Sequence, residues 1–194
     1  GLRPGDGLDW QALGPARRQG LVQGLEDGAA LVAARARHRQ RKPWVMSARN
    51  GRYGDDHLLR AIVAYIGLGA LAPDEALYAS GHFDADGQLL DGRRGYTLRF
   101  EPGDTPPAGA FWSVTLYGAD RYLHPNPLHR HAIGDRTQGL RRDADGGLTL
   151  HIAHAAPHET GNWLPAPAGP FYLMLRLYHP LPEARGWRAP PLVA

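Results

Sequence analysis

Residues 127–136 read PLHRHAIGDR, with two histidines one residue apart and an aspartate four positions after the second. Side chains alternate along a strand, so an extended backbone here would put His129, His131 and Asp135 on one face. Two imidazoles and a carboxylate form a donor set suited to a first-row divalent metal. Seven of the ten histidines fall between His124 and His179, with His151, His154 and His158 among them. The competing reading is a solvated strand edge that happens to be rich in histidine. That reading is preferred, so no cofactor is expected, and a divalent metal at His129, His131 and Asp135 stands as the alternative.

The spacing of the two histidines and the acid is similar to the metal motif of cupins. It departs from that motif in carrying Asp135 where cupins have Glu, and HIAHAAPHETGN (151–162) fits the second cupin motif poorly. DADG occurs twice, at 84–87 and 143–146. Oxygen ligands at alternating positions suit calcium, but a third acidic ligand and a later bidentate glutamate are missing. Asp-Gly between two strand-like segments is instead the chemistry of a tight hairpin turn. Ser113 in FWSVTLY lacks the flanking glycines of a hydrolase nucleophile turn. Glu159 and Asp120 form a carboxylate pair only if the fold joins them. Trp112 and Trp163 are candidates for stacking on a sugar or for anchoring the core.

These residues need elements to hold them, and the chain offers two textures. With 194 residues, 43% hydrophobic and 21% charged, it can bury one sizeable core. No apolar run approaches the roughly 18 residues of a membrane span. The chain lacks cysteine, so disulfides and thiol catalysis are excluded. Lys42 is the only lysine, and RARHRQRK (35–42) is the one dense basic run. It reads as a helix C-terminus whose cations complement the macrodipole rather than as a nucleic-acid contact.

Helical spacing of apolar residues predicts one helix over about 15–41, with Leu21, Leu25, Val32 and Ala36 on one face. A second is predicted over 55–71, capped by Asp55 or Asp56 and ended by Gly67 and Gly69. After Pro73, short β-branched and aromatic segments alternate with Gly, Pro, Asp and Asn clusters. Strands are predicted at 76–83, 95–100, 110–117, 121–124, 129–133, 148–154 and 170–178. The expected fold is α+β, mainly β: an antiparallel jelly-roll-like sandwich (73–194) preceded by a two-helix segment (1–72) that packs on it.

Residues 106–180 carry FWSVTLY, NP followed by Arg130, IGDRT, DG, NWLPAP and LRLYHP in order. NGRYGDDHLLRAIVAYIGLGAL and EALYASGHFDADGQLLDG precede them. Over residues 50–180 the chain resembles the C-terminal domain family called domain of unknown function 1214. The resemblance implies a jelly-roll sandwich after helices and an N-terminal partner domain, called domain of unknown function 1254. GLRPGDGLDW then looks like the joint between the two, and a periplasmic or cell-envelope location follows by analogy. Under the shared pattern His129 and His131 are local decoration. The polar residues within shared motifs become the candidate ligand site: Tyr78, Asp84, Asn126, Arg130, Asp135, Arg136, Asn162 and Trp163. Each has a structural alternative, such as loop fastening by the two asparagines or an Arg130–Asp135 ion pair.

Two functions follow from these residues. The first is a binding or assembly module for a polar, carbohydrate-like ligand, a partner domain or a second copy of the chain. The alternative is a metal-dependent enzyme built on the His/Asp cluster. Nucleic acid is not an expected partner.

Overall fold

A computed structural model describes residues 5, 7–37, 40–158 and 160–194. The chain divides into two compact units, residues 1–38 with 54–69, and residues 39–53 with 70–194. It is α+β, mainly β, with two helices and eight strands.

In the helical unit, α1 spans Pro15–Arg37 and α2 spans His57–Gly67. Pro15 suits the first turn of α1, where its missing N–H has no intrahelical role. Gln40 and Arg41, expected within this helix, lie outside it, and Arg35 and Arg37 stand in its last described turn. His38 and Arg39 of the basic run lie outside the described residues. Asp56 caps α2, its Oδ1 accepting the Leu59 N–H at 2.9 Å. The two helices pack on each other, yet Ala36 is the only buried residue of α1 and α2 has none. Leu25 is 75% exposed and Leu68, just after α2, is 86% exposed.

The β unit holds β1 (Val45–Met46), β2 (Ala76–Gly81), β3 (Tyr96–Phe100), β4 (Ala108–Gly118), β5 (Ala132–Gly134), β6 (Leu148–Ala153), β7 (Trp163–Pro165) and β8 (Phe171–Pro180). Five strands form one sheet in the order β1-β2-β8-β4-β5, and three form another in the order β3-β6-β7. The last strand therefore lies in the middle of the larger sheet, antiparallel to both β2 and β4. Leu173, Leu175 and Leu177 of β8 sit opposite Leu116, Val114 and Trp112 of β4. These six join Leu98 and Phe100 of β3 and Leu148, Leu150 and Ile152 of β6 in one hydrophobic core. Both sheets contribute to it, and alternation along every strand is what points these side chains one way.

Three expectations are corrected. Residues 121–124 form no strand: Arg121 has φ 72, and only an isolated bridge joins Leu123 to Tyr117. Residues 129–131 form no strand: His129 has φ 49 at the end of a turn over Pro127 and Leu128, and strand structure begins at Ala132. The pairing is also not wholly antiparallel. β7, absent from the sequence reading, lies parallel to β6. The Trp163 indole donating to the Ala153 carbonyl at 2.9 Å ties it there. Both DADG segments are turns with glycine at positive φ, 72° at Gly87 and 88° at Gly146.

Core position and helix surface should respond oppositely to mutation. Leu175, 0% exposed in the central strand, should lose about 2–5 kcal/mol on Leu175→Ala. Leu25→Ser in α1 should change stability by less than about 0.5 kcal/mol. Urea unfolding followed by circular dichroism measures both.

Candidate functional site

The polar residues of the shared motifs act on loops. Asn126 binds its own loop at four points: Nδ2 donates to the His124 and Arg130 carbonyls, and Oδ1 accepts from the Leu128 and Arg130 amides. The Arg130 guanidinium donates through Nη1 to the carbonyls of Thr160, Gly161 and Trp163, at 2.7 to 3.0 Å. It makes no ion pair with Asp135. That carboxylate instead accepts the Trp112 amide at 3.1 Å.

Asn162, 9% exposed, donates to the Arg141 and Thr149 carbonyls and accepts the Arg141 amide. Asp84, 1% exposed, accepts the Asp86 and Gln88 amides on one oxygen and Arg94 on the other. In the second turn, Arg99 binds Asp143 and Asp145. Arginines thus occupy turn carboxylates that a calcium ion would need. Trp112 and Trp163 are 5% and 7% exposed, buried as anchors rather than presented for stacking. Loop carbonyls and amides turned inward would each cost free energy if unpaired, and these side chains pair them.

The histidine motif does not assemble a metal centre. Among the described residues no three His, Asp or Glu side chains are placed to hold an ion. His129 is exposed and its turn breaks the shared face. The histidine that its neighbours perturb is His124. His131 Nδ1 lies 3.1 Å from the His124 carbonyl, and His154 Nδ1 lies 3.1 Å from that of Ala166. Partial burial, then the imidazoles of His154 and His131, push His124 below the ordinary histidine pKa, while Asp120 pulls the other way. At a surface loop, Arg93 grips Asp91 through a side-chain pair and its own backbone amide. Those contacts hold the Asp91 carboxyl down at about 2.

A different group converges on the face of the five-stranded sheet that looks away from the core. Pairing sets Tyr78, Arg176 and Ser113 in one row and Ser80, Met174 and Thr115 in the next. Tyr172 and Tyr117 form a third row, at the level of His82 beyond β2. Tyr117 stacks on Tyr172 at 5.3 Å between ring centroids, and His82 stacks on Tyr172 at 4.9 Å. Arg176 runs along this ledge, its Nη1 donating to Thr115 Oγ1 at 3.0 Å and its Nη2 to the Tyr117 hydroxyl at 2.9 Å. Its guanidinium lies 5.7 Å from the Tyr117 ring centroid.

All of these side chains except Thr115, which is 8% exposed, are half-buried. Of the sequence candidates Tyr78 belongs to this face, its hydroxyl accepting the Leu71 amide. Arg136 reaches the next row of the same face, over the Phe111 ring at 4.4 Å, where Phe111 stacks on Tyr178. Arg176, Tyr117 and Tyr172 were missed, although the signal was present. In FYLMLRLY the odd-numbered positions are Phe and Leu, while Tyr172, Arg176 and Tyr178 alternate with them.

The fold is that of a β-rich domain whose motif-borne loop residues fasten the backbone. A family model described as "Protein of unknown function (DUF1214)" matches residues 75–182, and the chain belongs to that family. The crystal structure of the VPA0106 protein from Vibrio parahaemolyticus is similar over 93% of this chain, with 30% identity and a TM-score of 0.61. An uncharacterised Burkholderia cenocepacia protein is similar over 97% of this chain, with 16% identity and a TM-score of 0.41. This chain spans 45% and 43% of those two chains, respectively. A search of curated protein sequences finds no match.

Two tests probe the fasteners and the histidines. Asn162→Ala, which leaves the Arg141 and Thr149 carbonyls without their donor, should destabilise the fold by about 1–3 kcal/mol in urea unfolding. His124 binds its proton more weakly folded than unfolded, so the unfolded chain takes up more protons as pH falls through about 6.5. Its contribution is complete above that value and declines with acidification. The melting temperature should therefore drop from pH 8 to 5, and His124→Gln should reduce the drop.

Proposed function

We propose that this domain is a binding module whose ligand, a polar ring such as a pyranose, lies on the outward ledge of the five-stranded sheet. The observation that carries the reading is the Tyr117–Tyr172–His82 stack at the outer surface of paired strands. Tyr117 and His82 take the two faces of Tyr172, so the stack meets a ligand with ring edges, and the neighbouring hydroxyls and guanidinium offer hydrogen bonds. Strand-borne side chains are also held more rigidly than loop side chains, which lowers the ordering cost of binding. The two sheets are inferred to stack as a jelly-roll-like sandwich. The shared core and the Phe100–Trp112 ring contact at 5.3 Å, between β3 and β4, support this.

A second reading, assembly, is favoured by the helical unit. Leu21, Leu25 and Leu31 of α1 are exposed on a helix with one buried side chain. The Vibrio relative is more than twice the length that this chain covers. A further domain of a longer chain is the occupant proposed for that helical surface. The domain by itself should then enhance the fluorescence of anilinonaphthalene sulfonate, and Leu21→Ser with Leu25→Ser should remove most of the signal. Dye that stays dark contradicts the assembly reading.

The ligand reading is tested by titrating the intact chain with methyl galactoside and following tyrosine ring resonances. Shifts confined to Tyr117 and Tyr172, with a roughly 3- to 10-fold affinity loss in Tyr172→Ala, are expected. Saturable binding that Tyr172→Ala leaves unchanged would place the ligand elsewhere.

A further inference from the structure

We infer that a cavity beside the first DADG turn takes an organic oxyanion with an apolar tail, received by the Leu89 amide and the guanidinium groups of Arg41 and Arg94. This site shares no residue with the Tyr117–Tyr172–His82 ledge and does not depend on it. The cavity has a volume of about 720 Å³, and its lining includes Arg41, Arg93, Arg94, Phe83, Leu89 and Pro170. Small-molecule sites commonly fall in the range of about 300–1,000 Å³. Every one of these residues belongs to the β unit.

The backbone supplies the first donor. Past the turn the chain doubles back, with the Asp84 amide donating to the Gln88 carbonyl and the Leu90 amide to the His82 carbonyl. Phe83 and Leu89 thereby face each other as an antiparallel pair of the kind that exchanges no hydrogen bond. In such a pair each residue turns its own amide and carbonyl away from its partner. The Leu89 carbonyl meets Arg94 Nη2 there at 2.6 Å. The Leu89 amide, on the same outward edge, makes no hydrogen bond among the described residues.

The charge comes from two stretches far apart in sequence. Arg41, from the basic run, donates through Nη2 to the Gly87 carbonyl at 3.0 Å. Arg94 donates to Asp84 and to the Leu89 carbonyl. A guanidinium has five N–H donors, so both arginines keep some for a ligand. The carboxylates nearby are already engaged. Arg93 holds both oxygens of Asp91, and buried Asp84 accepts two backbone amides as well as Arg94. The charged side chains lining the cavity are three arginines and Asp91, which favours an anion. An oxyanion would take charge-assisted hydrogen bonds, about twice as strong as neutral ones. The Leu89 side chain, 63% exposed, and Pro170 give apolar surface to the rest of the ligand.

The test titrates the intact chain with octanoate, octyl phosphate, octanol and acetate, followed at the Leu89 amide resonance by NMR. A saturable shift is expected with an octyl anion, at least about 5-fold tighter than with octanol or acetate. Whichever octyl anion binds more tightly identifies the oxyanion as carboxylate or phosphate. Arg41 is exposed and bonds only the Gly87 carbonyl, so Arg41→Gln should fold normally. That variant should weaken the octyl anion at least about 3-fold and leave octanol unchanged. Arg94 is left in place, since its loss would strip buried Asp84 of its charged partner. Octanol or acetate binding as tightly as the octyl anions overturns the inference. So does an unchanged affinity in Arg41→Gln, a Leu89 amide that stays still while other resonances saturate, or binding of none of the four.

Discussion

Everything in the β unit depends on the pairing of β4 with β8. Nine residue pairs set the register, and it places Trp112, Val114 and Leu116 level with Leu177, Leu175 and Leu173. A slip of one residue would turn both rows of aliphatic side chains toward solvent and bring Arg176 and two tyrosines into the core. Burial of these rows opposes the slip, since each leucine is worth about 1.5–3 kcal/mol when removed from water. Gly134 of β5 adds a local constraint. A Cβ there would meet the Trp112 carbonyl at 2.1 Å, so only glycine permits that approach.

The same register that makes the core makes the outer face. Because β8 lies between β2 and β4, residues distant in sequence come level: Tyr78 from the start of the unit, Ser113 from its middle and Arg176 from its end. Cross-strand neighbours lie about 4.5–5.5 Å apart at Cβ, close enough for the hydrogen bonds and ring stacks seen there. The loops at the strand ends depend on a different device. Asn126, Arg130 and Asn162 satisfy backbone groups that no strand reaches, which keeps loop connections fixed without regular structure.

What was legible in the chain follows from how local each signal is. Asp56 as a cap, the two Asp-Gly turns and the strands with strict alternation depend on residues within a few positions, and these are where the sequence places them. The His129–His131 face failed because Pro127 and Leu128 form a turn that carries His129 to positive φ, and alternation has no meaning outside a strand. β7 was missed because its three residues pair in parallel with β6, and the indole of Trp163 that anchors it acts on a carbonyl ten residues away. Alternation in FYLMLRLY marks Tyr172 and Arg176 as facing away from the leucines, but not what they face. Tyr117, Tyr172 and Arg176 look like ordinary solvent-side residues until the order of strands places them side by side. Shared motifs drew attention to loop residues, whose role proved to be pairing carbonyls and amides.

The central claim is that the β4–β8 register turns Leu173, Leu175 and Leu177 into the core and Tyr172 and Arg176 to the opposite face. Nuclear Overhauser contacts between residues paired across the two strands, recorded on the intact chain, address this directly. The account predicts contacts between Val114 and Leu175 and between Tyr117 and Tyr172. Contacts displaced by one residue along either strand would contradict it.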